Sequence, residues 1–184
     1  MIKDGKVTGG AAGLTLITNG SVSGVTGLTL DSVFTSTFTN YLFQWNGQGG
    51  TNNIEELRLR FRASSSTNTD SDSSFCAMII SKQAGASSAS GLETDIDSSY
   101  FQLMGSWMDN EKFSGQIIFQ EPQVSGQSTS IQYQLGTRYN QGTEKYATFQ
   151  GTGVKEGTGS FDGFYFYVDG SQTLTGNYRL YGFN

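Results

Sequence analysis

The chain has 184 residues, enough for one domain with its own hydrophobic core. Only 35% of its residues are hydrophobic and 15% charged, but 13 Phe, 9 Tyr and 2 Trp give it far more to bury than a disordered chain carries. The net charge of −5 argues against a nucleic-acid partner, no apolar run is long enough to cross a membrane as a helix, and a single cysteine, Cys76, excludes an internal disulfide framework.

In chain order, residues 1–20 show no strand pattern until Leu14-Thr15-Leu16-Ile17. They are expected to form an N-terminal arm, or a first edge strand after a flexible lead. Gly and Thr interrupt the stretch from Ala11 to Ile17, so no secretory signal is read there. Residues 21–184 are then one domain. Tyr41-Leu42-Phe43-Gln44-Trp45 alternates and is expected to stop at Asn46-Gly47, a strong turn pair. Leu57-Arg58-Leu59-Arg60-Phe61-Arg62 alternates strictly: period two puts Leu57, Leu59 and Phe61 on the core face and the three arginines on the other. Phe75 to Ile80, with Cys76 as a buried thiol, and Gln116 to Gln120 read as strands buried on both faces. Ile131 to Leu135 and Lys145 to Gln150 are further strands. Phe161 to Gly170 is aromatic on both parities, and Asn177 to Phe183 is the last strand. Ser64 to Ser74 and Ala84 to Gly91 are low-complexity loops, mobile or ordered by a partner. About ten strands without helical periodicity predict an all-β fold, a two-sheet antiparallel β-sandwich of jelly-roll type.

The residues offer little to catalysis. The chain has no histidine, which removes the commonest general base, the Ser-His and Cys-His pairs and most zinc sites. The glycines fall in turns and form no phosphate-binding loop. Glu55, Glu56, Glu121 and Glu144 are available as paired carboxylates, but nothing in their spacing selects two of them for glycoside hydrolysis. No cofactor is expected. Calcium is the one metal to weigh: Asp70 and Asp72, and Glu93, Asp95 and Asp97, place hard oxygen ligands close together, without the glycine and distal glutamate of a helix-loop-helix site. Solvated charge is the favoured reading of these acids.

Two features point to binding. Arg58, Arg60 and Arg62 share one strand face, where like charges repel, so an acidic partner is expected: a facing strand, a second subunit or an anionic glycan. The bland alternative is an exposed face whose guanidinium stems cover apolar neighbours. Tyr165 and Tyr167 face away from Phe164, Phe166 and Val168; with the Phe set in the core, the tyrosines need a cover, and a subunit interface or a glycan fits.

The stretch from Ser21 to Tyr41, the alternating arginine strand, and the closing segments Phe161-Asp162-Gly163-Phe164 and Leu174-Thr175-Gly176-Asn177-Tyr178-Arg179-Leu180-Tyr181-Gly182 together resemble a β-sandwich module of tailed-bacteriophage virion proteins, as in tail fibres. The resemblance covers about residues 21–184 and brings no catalytic signature. It implies a homotrimeric virion component, assembled with other virion proteins in the host cytoplasm and binding a host-surface glycan as a tail-fibre or receptor-binding part. A fibre module usually follows a long shaft; here only a short segment precedes it, which leaves a capsid decoration protein as the alternative. A glycan-processing enzyme is a distant third.

Overall fold

A computed structural model describes residues 13–50, 56–64, 66–67, 73–83, 89–105, 111–140, 144–157 and 159–184, with the backbone alone at 73–83, 89–97, 138–140 and 144–145. Among the described residues all regular structure is strand: β1 (Thr15–Val25), β2 (Gly27–Leu30), β3 (Asn40–Gly49), β4 (Leu57–Ala63), β5 (Ser66–Thr67), β6 (Ser73–Gln83), β7 (Ala89–Ser98), β8 (Phe101–Met104), β9 (Lys112–Gln120), β10 (Thr129–Asn140), β11 (Glu144–Lys155), β12 (Gly163–Val168) and β13 (Leu174–Phe183). They form two antiparallel sheets. The large sheet runs β1-β13-β3-β9-β10-β11-β6-β7; the small one runs β2-β12-β4-β5, with β8 also paired to β4.

This strand order is a jelly roll with two insertions. The chain alternates between the sheets, so that β1-β13-β3-β9 packs against β2-β12-β4-β8 in two interlocked Greek keys. The β6–β7 hairpin is inserted between β4 and β8, and the β10–β11 hairpin between β9 and β12. Pairing of β11 with β6 joins the insertions and doubles the width of the large sheet. That wide sheet is what gives the molecule an extended outer face.

Alternation explains why these segments are strands. Leu57, Leu59 and Phe61 of β4, Tyr41, Phe43 and Trp45 of β3, and Ile117 and Phe119 of β9 all point between the sheets and are buried. Phe164 of β12 sits at the centre of an aromatic network, with ring centroids 5.0 Å from Phe43, 4.8 Å from Phe119 and 5.7 Å from Phe34. Each such pair adds about 0.5–1.5 kcal/mol beyond the area it buries. The Tyr41 hydroxyl donates to the Thr35 carbonyl and accepts from the Thr35 N–H, both at 2.6 Å, fixing the turn ahead of β3, whereas the buried Trp45 indole N–H has no partner among the described residues.

Several expectations are corrected. Asn46-Gly47 is strand interior, because β3 continues to Gly49. Gly47 lies opposite Gly176 of β13, and a Cβ there would strike the Thr175 carbonyl and come within 2.8 Å of the Gly176 Cα, so glycine serves close approach and not a turn. Gln116 to Gln120 is buried on one face only; Gln116 is exposed and Ile118 half-buried. Of the two readings of residues 1–20, the edge strand holds from Thr15, where β1 starts, so the domain boundary at residue 21 moves and the sandwich includes residues 15–20. Ser66–Thr67 forms β5 and β7 starts at Ala89, within stretches expected to be loop. Residues 65, 68–72 and 84–88 of those loops, and the side chains of Phe75 to Ile80 with Cys76, lie outside the described residues.

Candidate functional site

The outer face of the small sheet carries both predicted features, and pairing brings them together. Tyr167 lies opposite Arg58 and Tyr165 opposite Arg60 across β12 and β4, and Tyr167 and Tyr165 flank Gly27 and Thr29 of β2 on the other side. The two tyrosine rings stack at 4.5 Å, 7° from parallel. The Tyr165 ring lies where a Cβ on Gly27 would be, so that glycine makes room for the stack. Arg58 lies 3.9 Å over the Tyr100 ring, and Arg60 is 5.6 Å from the centre of Tyr167.

The partner that like-charge repulsion demands is inside the chain. Arg58 Nη2 is 2.7 Å from both Glu56 and Asp169. Arg62 makes a bidentate pair with Asp31, Nε to Oδ1 at 2.6 Å and Nη2 to Oδ2 at 3.1 Å, and reaches Thr67. Arg60 lies between them, its Nη2 donating to Ser99 Oγ at 3.0 Å while its Nε is buried without an acceptor among the described residues. Hydrogen bonding to Asp31 holds the Arg62 guanidinium above its ordinary pKa; for Arg58 burial works against the charge, and Glu56, Tyr100 and Asp169 together outweigh it and raise the pKa. Burial raises the Tyr167 hydroxyl against the opposing field of Arg60 and Arg58. The two tyrosine rings thus cover one another, with Arg60 near Tyr167; Arg58 and Arg62 are paired within the chain, while Arg60 Nε and the Tyr167 hydroxyl are buried with no hydrogen-bond partner among the described residues.

Of the calcium candidates, Asp70 and Asp72 lie outside the described residues. Glu93, Asp95 and Asp97 fall in β7, with Glu93 opposite Ala77 and Asp95 opposite Phe75, and their side chains lie outside the described ones.

The outer face of the large sheet holds what sequence reading missed. It bears an open groove of about 920 Å³ across six strands. Cross-strand register aligns Asn19 (β1), Arg179 (β13), Gln44 (β3), Gln116 (β9), Gln134 (β10) and Gln150 (β11) in one continuous row. A parallel row holds Ser21, Asn177, Asn46, Ser114, Gly136 and Thr148. On the opposite flank Leu16, Tyr181, Leu42 and Ile118 form an apolar border, with Leu16 50% exposed. Adjacent strands lie about 4.8 Å apart, so the six-membered row spans roughly 24 Å.

Gln116 and Gln134 are exposed, and Gln44 and Gln150 half-buried. Among the described residues no protein group takes up any of these four side-chain amides. Each amide offers two donors and an acceptor. No carboxylate lines the groove among the described residues, and Arg179 is its one charged side chain. Such a surface can hydrogen-bond a hydroxyl-rich ligand in both directions at once. Gln44 and Gln134 are flanked in sequence by core residues on both sides, as in Phe43-Gln44-Trp45 and Tyr133-Gln134-Leu135, and Gln116 and Gln150 on one side, by Ile117 and Phe149. That recurrence was the legible signal; the register that lines the glutamines up was not.

Comparison with protein-family models, with curated proteins and with solved structures gives no match. The functional reading therefore rests on the fold, the site and the sequence resemblance.

Proposed function

We propose that the chain is a non-catalytic binding component of a tailed-bacteriophage particle, and that it recognises a host-surface glycan through the amide-lined groove of the large sheet. The observation that carries the glycan half is the row of four glutamine amides with no protein partner, beside a second row of hydroxyls and amides and an apolar border. Sugars present hydroxyls around the ring edge and C–H groups on the ring faces, and the two kinds of surface meet them respectively. The phage half rests on the sequence resemblance, which also implies a homotrimer. Three weak sites on one trimer, repeated over a particle, give avidity well above that of one site. The arginine ridge is the less suitable glycan site, because Arg58 and Arg62 already hold carboxylates.

Particles carrying the double substitution Gln116→Ala, Gln134→Ala test this. They are expected to contain the chain at its normal low, tail-like copy number and to adsorb to host cells at least tenfold more slowly, since several charge-neutral hydrogen bonds are lost at each site. Adsorption at the parental rate overturns the glycan reading. A copy number comparable to the major capsid protein, with heads that become fragile, assigns the chain to capsid decoration instead.

A further inference from the structure

Arg179 sets the groove apart from a purely neutral sugar platform. Of the arginines whose side chains are described, Arg58 and Arg62 are bound to carboxylates and Arg60 is enclosed between aromatic rings. Arg179 is exposed, its cross-strand neighbours are Asn19 and Gln44, and no carboxylate lines the groove with it among the described residues. In a chain of net charge −5, this is a cation held apart from the acids that pair with Arg58 and Arg62. A guanidinium flanked by amides is suited to a planar carboxylate, which it binds through two parallel hydrogen bonds while the neighbouring amides bind the ring hydroxyls.

We propose that the groove takes an extended acidic oligosaccharide laid across the strands, with the carboxylate of one acidic sugar seated on Arg179 and the following sugars along Gln44, Gln116 and Gln134. One sugar of an extended chain advances by about one strand spacing, so each glutamine meets a successive ring. Arg179 is the second position of the row, which puts the acidic sugar near one end of the bound stretch and gives the chain a direction. This inference rests on the glycan reading above and specifies its ligand.

The test uses the full-length protein on an array of bacterial surface polysaccharides, each spotted in its native acidic form and in a form whose carboxylates have been reduced to alcohols. The wild-type protein is expected to hold at least one native polysaccharide and to bind its reduced form about tenfold more weakly, the scale of one charge-assisted bidentate contact. Arg179→Gln is expected to bind the native form about as weakly, with no further loss on carboxyl reduction, because both changes remove the same contact. Equal loss on reduction in wild type and Arg179→Gln overturns the carboxylate seat but leaves the glycan reading standing. Binding of native and reduced forms alike by the wild type does the same. Failure of the wild type to hold any polysaccharide sinks both. A change of oligomeric state in Arg179→Gln, read by light scattering, overturns the proposal in favour of a subunit interface.

Discussion

The two outer faces of the sandwich solve the same problem in opposite ways. On the small sheet, three arginines and two tyrosines look like an exposed recognition surface in sequence, but most of them are engaged inside the chain: carboxylates hold Arg58 and Arg62, Tyr165 and Tyr167 stack on each other, and Arg60 lies near the Tyr167 ring. On the large sheet, uncharged glutamines and asparagines that draw no attention in sequence face solvent with their amides untaken. Charge density in the sequence is therefore a poor guide to which side chains folding leaves available to a ligand. Hydrogen-bonding capacity left over after folding is the better one, because a group already satisfied inside the chain must break a bond before it meets a ligand.

The contrast can be broken by substitution. The largest effect on stability is expected from Arg62→Ala, which leaves Asp31 without its bidentate partner in a site where the two side chains are 12% and 30% exposed. A loss of about 1–2 kcal/mol in urea denaturation is expected, below the value for a fully buried pair because solvent still screens this one. A loss under a few tenths of a kcal/mol would mean that the small sheet does not depend on its internal ion pairs.

A smaller, pH-confined effect is expected from Tyr167. Its hydroxyl titrates above the ordinary tyrosine value because burial disfavours the phenolate. A group with a raised folded pKa contributes stability in full below the unfolded value of about 10, and loses it as pH rises through the folded value. Wild-type stability should thus fall as pH climbs above 10, and Tyr167→Phe should flatten part of that fall. Denaturation midpoints followed from pH 8 upward give the answer; identical slopes for the two proteins would show that Tyr167 contributes nothing to the alkaline loss.

The smallest stability effect belongs to the large sheet. Gln116→Ala and Gln134→Ala remove exposed amides without protein partners and should each shift stability by no more than about 0.5 kcal/mol. A larger loss would show that the row is structural, and the two faces would no longer differ in kind.

Much of the fold was legible because strand alternation is a local property. Leu57-Arg58-Leu59-Arg60-Phe61-Arg62 placed its core and outer faces correctly, and Phe164, Phe166 and Val168 separated from Tyr165 and Tyr167 as their parity requires. Gln116 to Gln120 misled because Ile117-Ile118-Phe119 is a continuous apolar run, and such a run does not reveal that Ile118 stands half-exposed beside Leu42. Asn46-Gly47 misled because the dipeptide that favours a turn also permits two strands to approach closely, and only the partner at Gly176 decides between them. The acidic partners of the arginine ridge were in the sequence throughout, but Asp31 and Asp169 lie far along the chain from Arg62 and Arg58.

By itself the sequence determined the all-β class, the two-sheet architecture and the core face of its alternating strands, since each follows from period-two alternation and aromatic content within a few residues. Tertiary structure alone decided the strand order, the two hairpin insertions that widen one sheet, and the register that sets Asn19, Arg179, Gln44, Gln116, Gln134 and Gln150 in line. The reason is that register is a property of pairs of strands. A slip of one residue turns a side chain to the other face, and a slip of two leaves it on the face but out of the row. No strand by itself carries that information, so the row, and the groove that its members from Asn19 to Gln134 line, exist only once the sheet has formed.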